Sequence, residues 1–512
     1  MASEKFQQET GVLAQDKSNE VATNDGNIQS LDARAIRKLR WKIDMIILPT
    51  LAIMYTFNSL DRSNLGNAAT AGLKKDTHLT GDQYNLLLTI YYVMFVLFGP
   101  VMTVFTKICS AKISLPCMMV AFGIASACTA VAKNLGHLMV CRIFVGIFES
   151  GFLASVVFYL SKWYTRSEIA SRIAIFYAGA VVASAFGGLI AFGMFHIKSS
   201  GNLFDWSYLF ILEGCLTCLV AIISYFVLPR DIANAWFLTQ SEKEVAEARI
   251  QLESMQNRSG KWVWSEAISE FKTVHGWARV VIAFSVGILP NASANFLAIM
   301  TVRLGYSVTK TNLVSVFLLT ESLAFPNFGR RILTRGNRKY TVAPAMTAAV
   351  FLLIFAYSSD YFRERGFHMT VPLVLSLVGY AILLGADIEK QKGTGYLAIF
   401  FCTIGAYPMS VIFSAWTVAN IPNLNARAFT TGVLLACLNS MGLVASNIFF
   451  AREAPRYKTA LIVNMAFPCA GIVFTVTYSL YLRFLNRKLE KEHHTSEGLG
   501  AVDGGAPFRY QT

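Results

Sequence analysis

The stretch CRIFVGIFESGFLASVVFYLSKW, residues 141–163, places an arginine and a glutamate inside an apolar run long enough to cross a bilayer. Ionised side chains in such a segment cost several kcal/mol, so they usually face a bundle interior or a water-filled cavity and lie on a transport path. Arg142 and Glu149 stand seven residues apart, two helical turns, and share one face. Along that face Gly146, Ser150 and Ala154 form a stripe of small residues that lets another helix come close.

Working outward, the whole chain has the composition of this stretch. Of its 512 residues 54 % are hydrophobic and only 15 % charged, and the mean hydropathy is positive, which describes an all-α polytopic membrane protein. The net charge is +14, with the basic residues gathered in the tails and in alternate connections between apolar runs, as the positive-inside rule requires. With no separate basic soluble domain, a nucleic-acid partner is not expected. Nine cysteines show neither disulfide-framework nor zinc-ligand spacing and read as small packing residues. No metal or cofactor is expected, and without a phosphate-binding loop or nucleophile motif an enzyme or an ATP-driven pump is not expected either.

Read in order, residues 1–40 are polar and expected to be disordered, ending in the basic collar Arg34, Arg37, Lys38, Arg40 and Lys42, which places the N-terminus in the cytosol. A first set of six spans is expected within 41–229. It begins with a helix running into LDRSNLGNAA, residues 60–69, which brings Asp61, Arg62 and Asn64 into the membrane region. The fifth span carries Gly179, Ala183, Gly187 and Ala191 at four-residue spacing, a seam for tight packing. Residues 230–275 are charged, helical in composition and without a spanning run, so they read as a cytosolic linker.

A second set follows over 276–489, and residues 490–512 read as a disordered tail. The apolar run 314–328 is short for a span. Counting it gives seven segments and moves most later basic residues outside, so it is taken as an extra piece in an outer loop. His196, His275 and His368 fall at loop edges and read as surface residues.

Arg142 stays charged at any cellular pH and offers a forked donor suited to a carboxylate, whereas Glu149 can take up a proton. A proton on Glu149 and an anion at Arg142 would neutralise the cavity together, which is symport in physical terms. Asn291, Asn295 and Asn439 are candidate cavity-lining residues, with Trp416 and Asn420, on one helix face, suited to stacking on and hydrogen-bonding a ring-bearing ligand. Asp61, beside Arg62, reads as a structural or gating residue.

LDRSNLGNA at 60–68 and CRIFVGIFESGF at 141–152, with YLSKWYTRSEIASRIAIFYAG at 159–179, FILEG at 210–214, SSDYFRERGF at 358–367 and GAYPMSVIFSAWTVAN at 405–420, resemble the major facilitator superfamily, in its fungal anion:cation symporter branch of allantoate, nicotinate and pantothenate permeases. The resemblance runs from about residue 34 to 488. It implies the major facilitator fold, twelve transmembrane helices in two six-helix bundles around a cavity open to one side at a time. It further implies that Arg62 and Arg142 contact an anionic substrate, that Glu149 couples it to protons, and that Asp360, Arg363 and Arg365 latch a cytosolic gate. An arginine of the vesicular members has no counterpart here, because Asn291 and Asn295 occupy its region. By the same resemblance residues 314–339 look inserted, as a retained intron or gene-model artefact would be.

The expected partners are thus a small organic anion, protons and membrane lipid, around a monomer in a fungal plasma membrane with both termini cytosolic. The expected activity is proton-coupled uptake of a monocarboxylate; the alternatives are an exporter of an acidic metabolite and a nutrient sensor that signals without flux.

Overall fold

A computed structural model describes residues 33–80, 83–195, 203–253, 262–303, 342–386, 391–448, 453, 456–497 and 509–512. The described chain is helical, with no strand among the described residues. Before the linker come α1 (Ala33–Thr70), α2 (Gln83–Cys109), α3 (Ala111–Thr129), α4 (Leu135–Ser150) with its continuation α5 (Phe152–Leu160), α6 (Ile169–Met194) and α7 (Ser207–Val227). The linker holds α8 (Gln240–Glu253). After it come α9 (Val274–Arg303), α10 (Val342–Phe362), α11 (Gly366–Gly385), α12 (Lys392–Ala419), α13 (Leu424–Asn447) and α14 (Lys458–Glu497). Among the described residues nine helical stretches are long and apolar enough to cross a membrane. Leu97, Val101, Ile222, Phe226 and Val473 are exposed on their outer faces, as suits helices solvated by lipid.

The packing repeats. In the first set α1 packs on α6 and α7, α2 on α4, and α3 on α4 and α7; in the second α9 packs on α13 and α14, α10 on α12, and α11 on α12 and α14. The contacts between sets obey the same correspondence, α2 against α13 and α6 against α10. Small residues permit the approach: a Cβ at Gly179 would touch Ala52 and Thr56 of α1, and one at Gly187 would lie 3.0 Å from Leu60. The seam expected on the fifth span therefore fits α6 against the helix that carries Arg62. Gly151 breaks the fourth span into α4 and α5 where it meets Met102.

At the basic end of the bundle charge does the joining. The Asp360 carboxylate accepts from the backbone nitrogens of Ala170 (3.3 Å) and Ser171 (2.7 Å), in the first turn of α6, where unpaired N–H groups and the helix dipole favour an anion. Arg365 holds Asp360 at 2.6 Å and donates with the same nitrogen to the Arg166 carbonyl at 2.7 Å. Arg427 reaches from α13 to the carbonyl and hydroxyl oxygens of Ser161. Arg363 is exposed beside this cluster.

Four expectations need revision. α1 begins at Ala33, eight residues before 41, because its basic turn finds partners: Arg40 pairs with Glu168 (2.8 Å), Lys42 with Glu242 (2.5 Å) and Asp44 with Arg172 (3.0 Å). The tail expected to be disordered from 490 continues as helix to Glu497, and Arg509–Thr512 lie against the bundle. His275 is half-buried, stacked on Tyr510 at 5.3 Å, and His368 bonds Glu364 at 2.7 Å, so neither is a bare surface residue. Glu213, read only as part of a motif, is a buried acid in α7. The segment 314–339 and His196 lie outside the described residues.

Glu168 lies between α5 and α6, with Arg249 of the linker at 3.3 Å and Arg40 at 2.8 Å. Burial alone would raise its affinity for a proton, but Arg249, Arg172 and Arg40 outweigh burial and hold the carboxyl below the usual range. Its stabilising contribution is therefore complete above the ordinary carboxylate range and lost as pH falls through the depressed value. We expect Glu168→Gln to lower stability by about 1–3 kcal/mol at neutral pH and to flatten the loss between about pH 5 and pH 3, read as thermal unfolding in detergent. An unchanged melting profile would contradict this account of the linker. Packing gives a second expectation. A Cβ at Gly287 would collide with the backbone oxygen of Leu438, so Gly287→Val should separate α9 from α13 and cost about 1–3 kcal/mol in the same measurement. A variant as stable as the parent would show that this close approach is not required.

Candidate functional site

α1 remains helical through the polar signature and presents Asn58, Asp61, Arg62 and Asn64 to the interior of the first set. α4 presents Arg142 and Glu149, 4 % and 0 % exposed. α2 approaches α4 because residue 146 is glycine: a Cβ there would lie 2.8 Å from the Tyr91 carbonyl. That approach places the Tyr91 hydroxyl on Glu149, donating to Oε2 at 2.6 Å. Arg62 Nε donates to the same oxygen from α1 at 3.1 Å. The structure therefore pairs Glu149 with Arg62 across two helices, not with Arg142 along its own.

The Arg62 side chain is 31 % exposed, while its partner Glu149 is fully covered. The guanidinium also stands 4.8 Å from the centre of the Phe95 ring, a cation–π contact that fixes its plane. Among the described residues no carboxylate lies within ion-pairing distance of Arg142, and its Nε has no hydrogen-bond partner. Its charge acts on the buried Asp61, whose Oδ1 accepts from Ser126 Oγ of α3. Deeper in the same set Asn64 Nδ2 donates to Glu213 Oε2 of α7 at 2.5 Å. One oxygen of each acid, Asp61 Oδ2, Glu149 Oε1 and Glu213 Oε1, is buried without a partner among the described residues. The arrangement sets the carboxyls of Asp61 and Glu149 against the guanidiniums of Arg62 and Arg142, with Glu213 held apart by Asn64.

The other expected residues lie elsewhere. Asn291 and Asn439 turn their amides onto their own helices, to the carbonyls of Gly287 (2.9 Å) and Leu435 (2.8 Å). Asn295 lies on α9, with its side chain outside the described residues. Trp416 and Asn420 stand at the end of α12, where Trp416 Nε1 and Asn420 Nδ2 both donate to the Gln511 carbonyl at 2.8 Å. Asp61 belongs to the interior network with Arg142, whereas Asp360 and Arg365 form the contact between sets at the basic end.

Sequence reasoning did not single out Tyr91, Phe95, Ser126 or Glu213. Glu213 carried a usable signal, since a carboxylate inside the apolar run 207–227 obeys the rule that singled out Arg142 and Glu149. Tyr91 carried none, because an aromatic in an apolar helix is ordinary and its contact with position 149 depends on how α2 and α4 are rotated.

Comparison with known proteins places this geometry in context. The chain is 39 % identical over 459 residues to an uncharacterized transporter of Schizosaccharomyces pombe, covering 90 % of this chain and 85 % of that one. It is 36 % identical over 473 residues to the MFS-type transporter efuF of Hormonema carpetanum, covering 92 % and 90 %. It is 30 % identical over 483 residues to the high-affinity nicotinic acid transporter of Saccharomyces cerevisiae, covering 92 % and 85 %. Among solved structures, a bacterial homolog of the human lysosomal transporter Spinster superposes with a TM-score of 0.55 at 16 % identity, covering 85 % of this chain and 96 % of that one. The proton:xylose symporter XylE superposes with a TM-score of 0.52 at 14 % identity, covering 85 % and 95 %. These two establish a shared fold. The model of the Major Facilitator Superfamily matches residues 51–446, and the chain belongs to that family of multi-pass membrane transporters.

Proposed function

We propose that the chain carries a small organic anion, a monocarboxylate such as a nutrient or vitamin acid, together with protons. It does so by alternating access between two six-helix bundles, twelve spans in all, with the basic end and both termini in the cytosol and the plasma membrane as its site. The observation that carries this reading is the buried Glu149 held by a partly exposed Arg62. In the structure Glu149 is the counterion of Arg62. A substrate carboxylate arriving at Arg62 competes for the same guanidinium, and Glu149, released inside a low-dielectric site, is neutralised by taking a proton.

Charge counting supports the same coupling. Asp61 and Glu149 already balance Arg62 and Arg142, so each added anion calls for an added proton. Arg142, with no carboxylate of its own among the described residues, is the second anchor for the anion, and Tyr91 holds Glu149 in place between the two. The repeated helix pairings support two bundles of six, and the Asp360–Arg365 cluster, which bridges them, is the latch of the cytosolic gate. The similarity to a nicotinic acid transporter favours a monocarboxylate with an aromatic ring, and Asn64, Asn291, Asn295 and Asn439 remain candidates for lining its path.

The test is uptake of labelled nicotinate and a panel of other carboxylates into yeast expressing the chain, at about pH 5 and about pH 7. We expect accumulation of one acid, faster at the lower pH, with Glu149→Gln losing the pH response. Arg62→Ala should lower uptake by roughly tenfold to a hundredfold, the loss of a charge-assisted contact to a carboxylate. If no acid accumulates while the protein is present at the cell surface, the uptake reading fails and export or sensing takes its place.

A further inference from the structure

Residues 509–512, Arg-Tyr-Gln-Thr, are bound at the basic end as a peptide ligand would be. Two asparagines read its backbone in the same way. Asn486 of α14 accepts from the Tyr510 nitrogen (2.9 Å) and donates to the Tyr510 carbonyl (2.8 Å). Asn420 of α12 does the same to the next residue, accepting from the Gln511 nitrogen (2.7 Å) and donating to its carbonyl (2.8 Å). Trp416 Nε1 adds a second donor to the Gln511 carbonyl, and Tyr510 lies flat on the His275 ring of α9, the planes 22° apart. The backbone nitrogens of Arg365 (2.6 Å) and Gly366 (3.1 Å), at the start of α11, converge on the Thr512 oxygen. A side-chain amide that pairs with the N–H and the C=O of one residue satisfies donor and acceptor together, and two of them in succession fix the register of the bound segment.

The segment also completes the contact between the two sets of helices. Arg365 is fully buried and spends its donors on Gln511 Oε1 (3.2 Å), Ser359 Oγ (2.9 Å), Asp360 (2.6 Å) and the Arg166 carbonyl (2.7 Å). Its last two acceptors form the bridge, since Asp360 binds the start of α6 and Arg166 belongs to the first set. Gln511 holds the inner end of that guanidinium, and Arg166 in turn donates to the Arg509 carbonyl at 3.2 Å. Separating the sets at this end requires Arg365 to leave Arg166, and the docked segment opposes that movement from both sides.

We propose that the groove formed by His275, Arg365, Trp416, Asn420 and Asn486 is a peptide-binding site whose occupant is Arg509–Thr512, and that the occupied groove locks the basic end closed. Gln511 is the anchor. Release of the segment is then a step that precedes opening, and anything that competes for it sets how often the carrier opens at this end. The proposal rests on the alternating-access reading above, but its test needs no substrate.

Spin labels at Arg230→Cys and Lys488→Cys, in a full-length chain with its native cysteines replaced, report the separation of the two sets at the basic end. We expect removal of residues 509–512 to raise the separated population roughly tenfold, the scale of a typical coupling between sites. Gln511→Ala, a change in a surface segment that leaves the bundle intact, should reproduce most of that rise. Identical distance distributions in the three chains would overturn the lock. A rise on removal of the segment that Gln511→Ala fails to reproduce would overturn the role given to Gln511.

Discussion

The interior is organised by one ion pair set among apolar helices, the partly exposed Arg62 of α1 with the fully covered Glu149 of α4. Neither charge can be left alone there, because an unpaired ion in a medium of low dielectric is expensive, so whatever displaces one partner must also neutralise the other. On the proposed reading, that rule makes the 3.1 Å contact the device that couples anion to proton. It needs four helices at fixed separation. α2 must come near enough to α4 for Tyr91 to reach Glu149, and glycine at 146 permits it. α1 must hold its register against α6, and Gly179 and Gly187 set that distance.

The surrounding frame is a repeat. The main helix pairings of the first set recur in the second, and the two largest contacts between sets are images of one another, α2 with α13 and α10 with α6. Yet the charged chemistry is not repeated. Among the described residues the acids and arginines of the interior lie on α1, α4 and α7; on the corresponding helices α9, α12 and α14 the buried charge is Arg279, paired with Glu270 at 2.6 Å, and the other buried polar groups are neutral, such as Ser410 and Asn464. The second set contributes its charges at the basic end instead, through Asp360, Arg365 and Arg427. One set thus holds the interior ions and the other the charges that join the two sets, the division that the proposed carrier with a separate site and latch requires.

Much of this was legible in the sequence. Helix positions followed from apolar runs bounded by charges, and the linker from the abrupt change of composition after residue 229. Arg62, Arg142 and Glu149 stood out because ions in apolar runs demand a reason. What the sequence hid was partnership. Spacing along one helix puts Arg142 and Glu149 on a shared face, but which neighbour completes each charge depends on the rotation of α1 and α2 against α4, which no single chain reveals. The docked segment at 509–512 was hidden for another cause. Its recognition uses backbone groups and two asparagines from distant helices, so its own four residues carry no pattern that distinguishes them from a solvated tail.

The central claim is that an anion at Arg62 moves a proton onto Glu149. The most direct measurement is the infrared difference spectrum of the purified protein on addition of its transported acid, compared with Glu149→Gln. The account predicts that the wild-type spectrum gains the carbonyl stretch of a protonated carboxyl group and that the variant does not. Binding that leaves Glu149 ionised, with no carboxyl signal distinguishing wild type from variant, would contradict it.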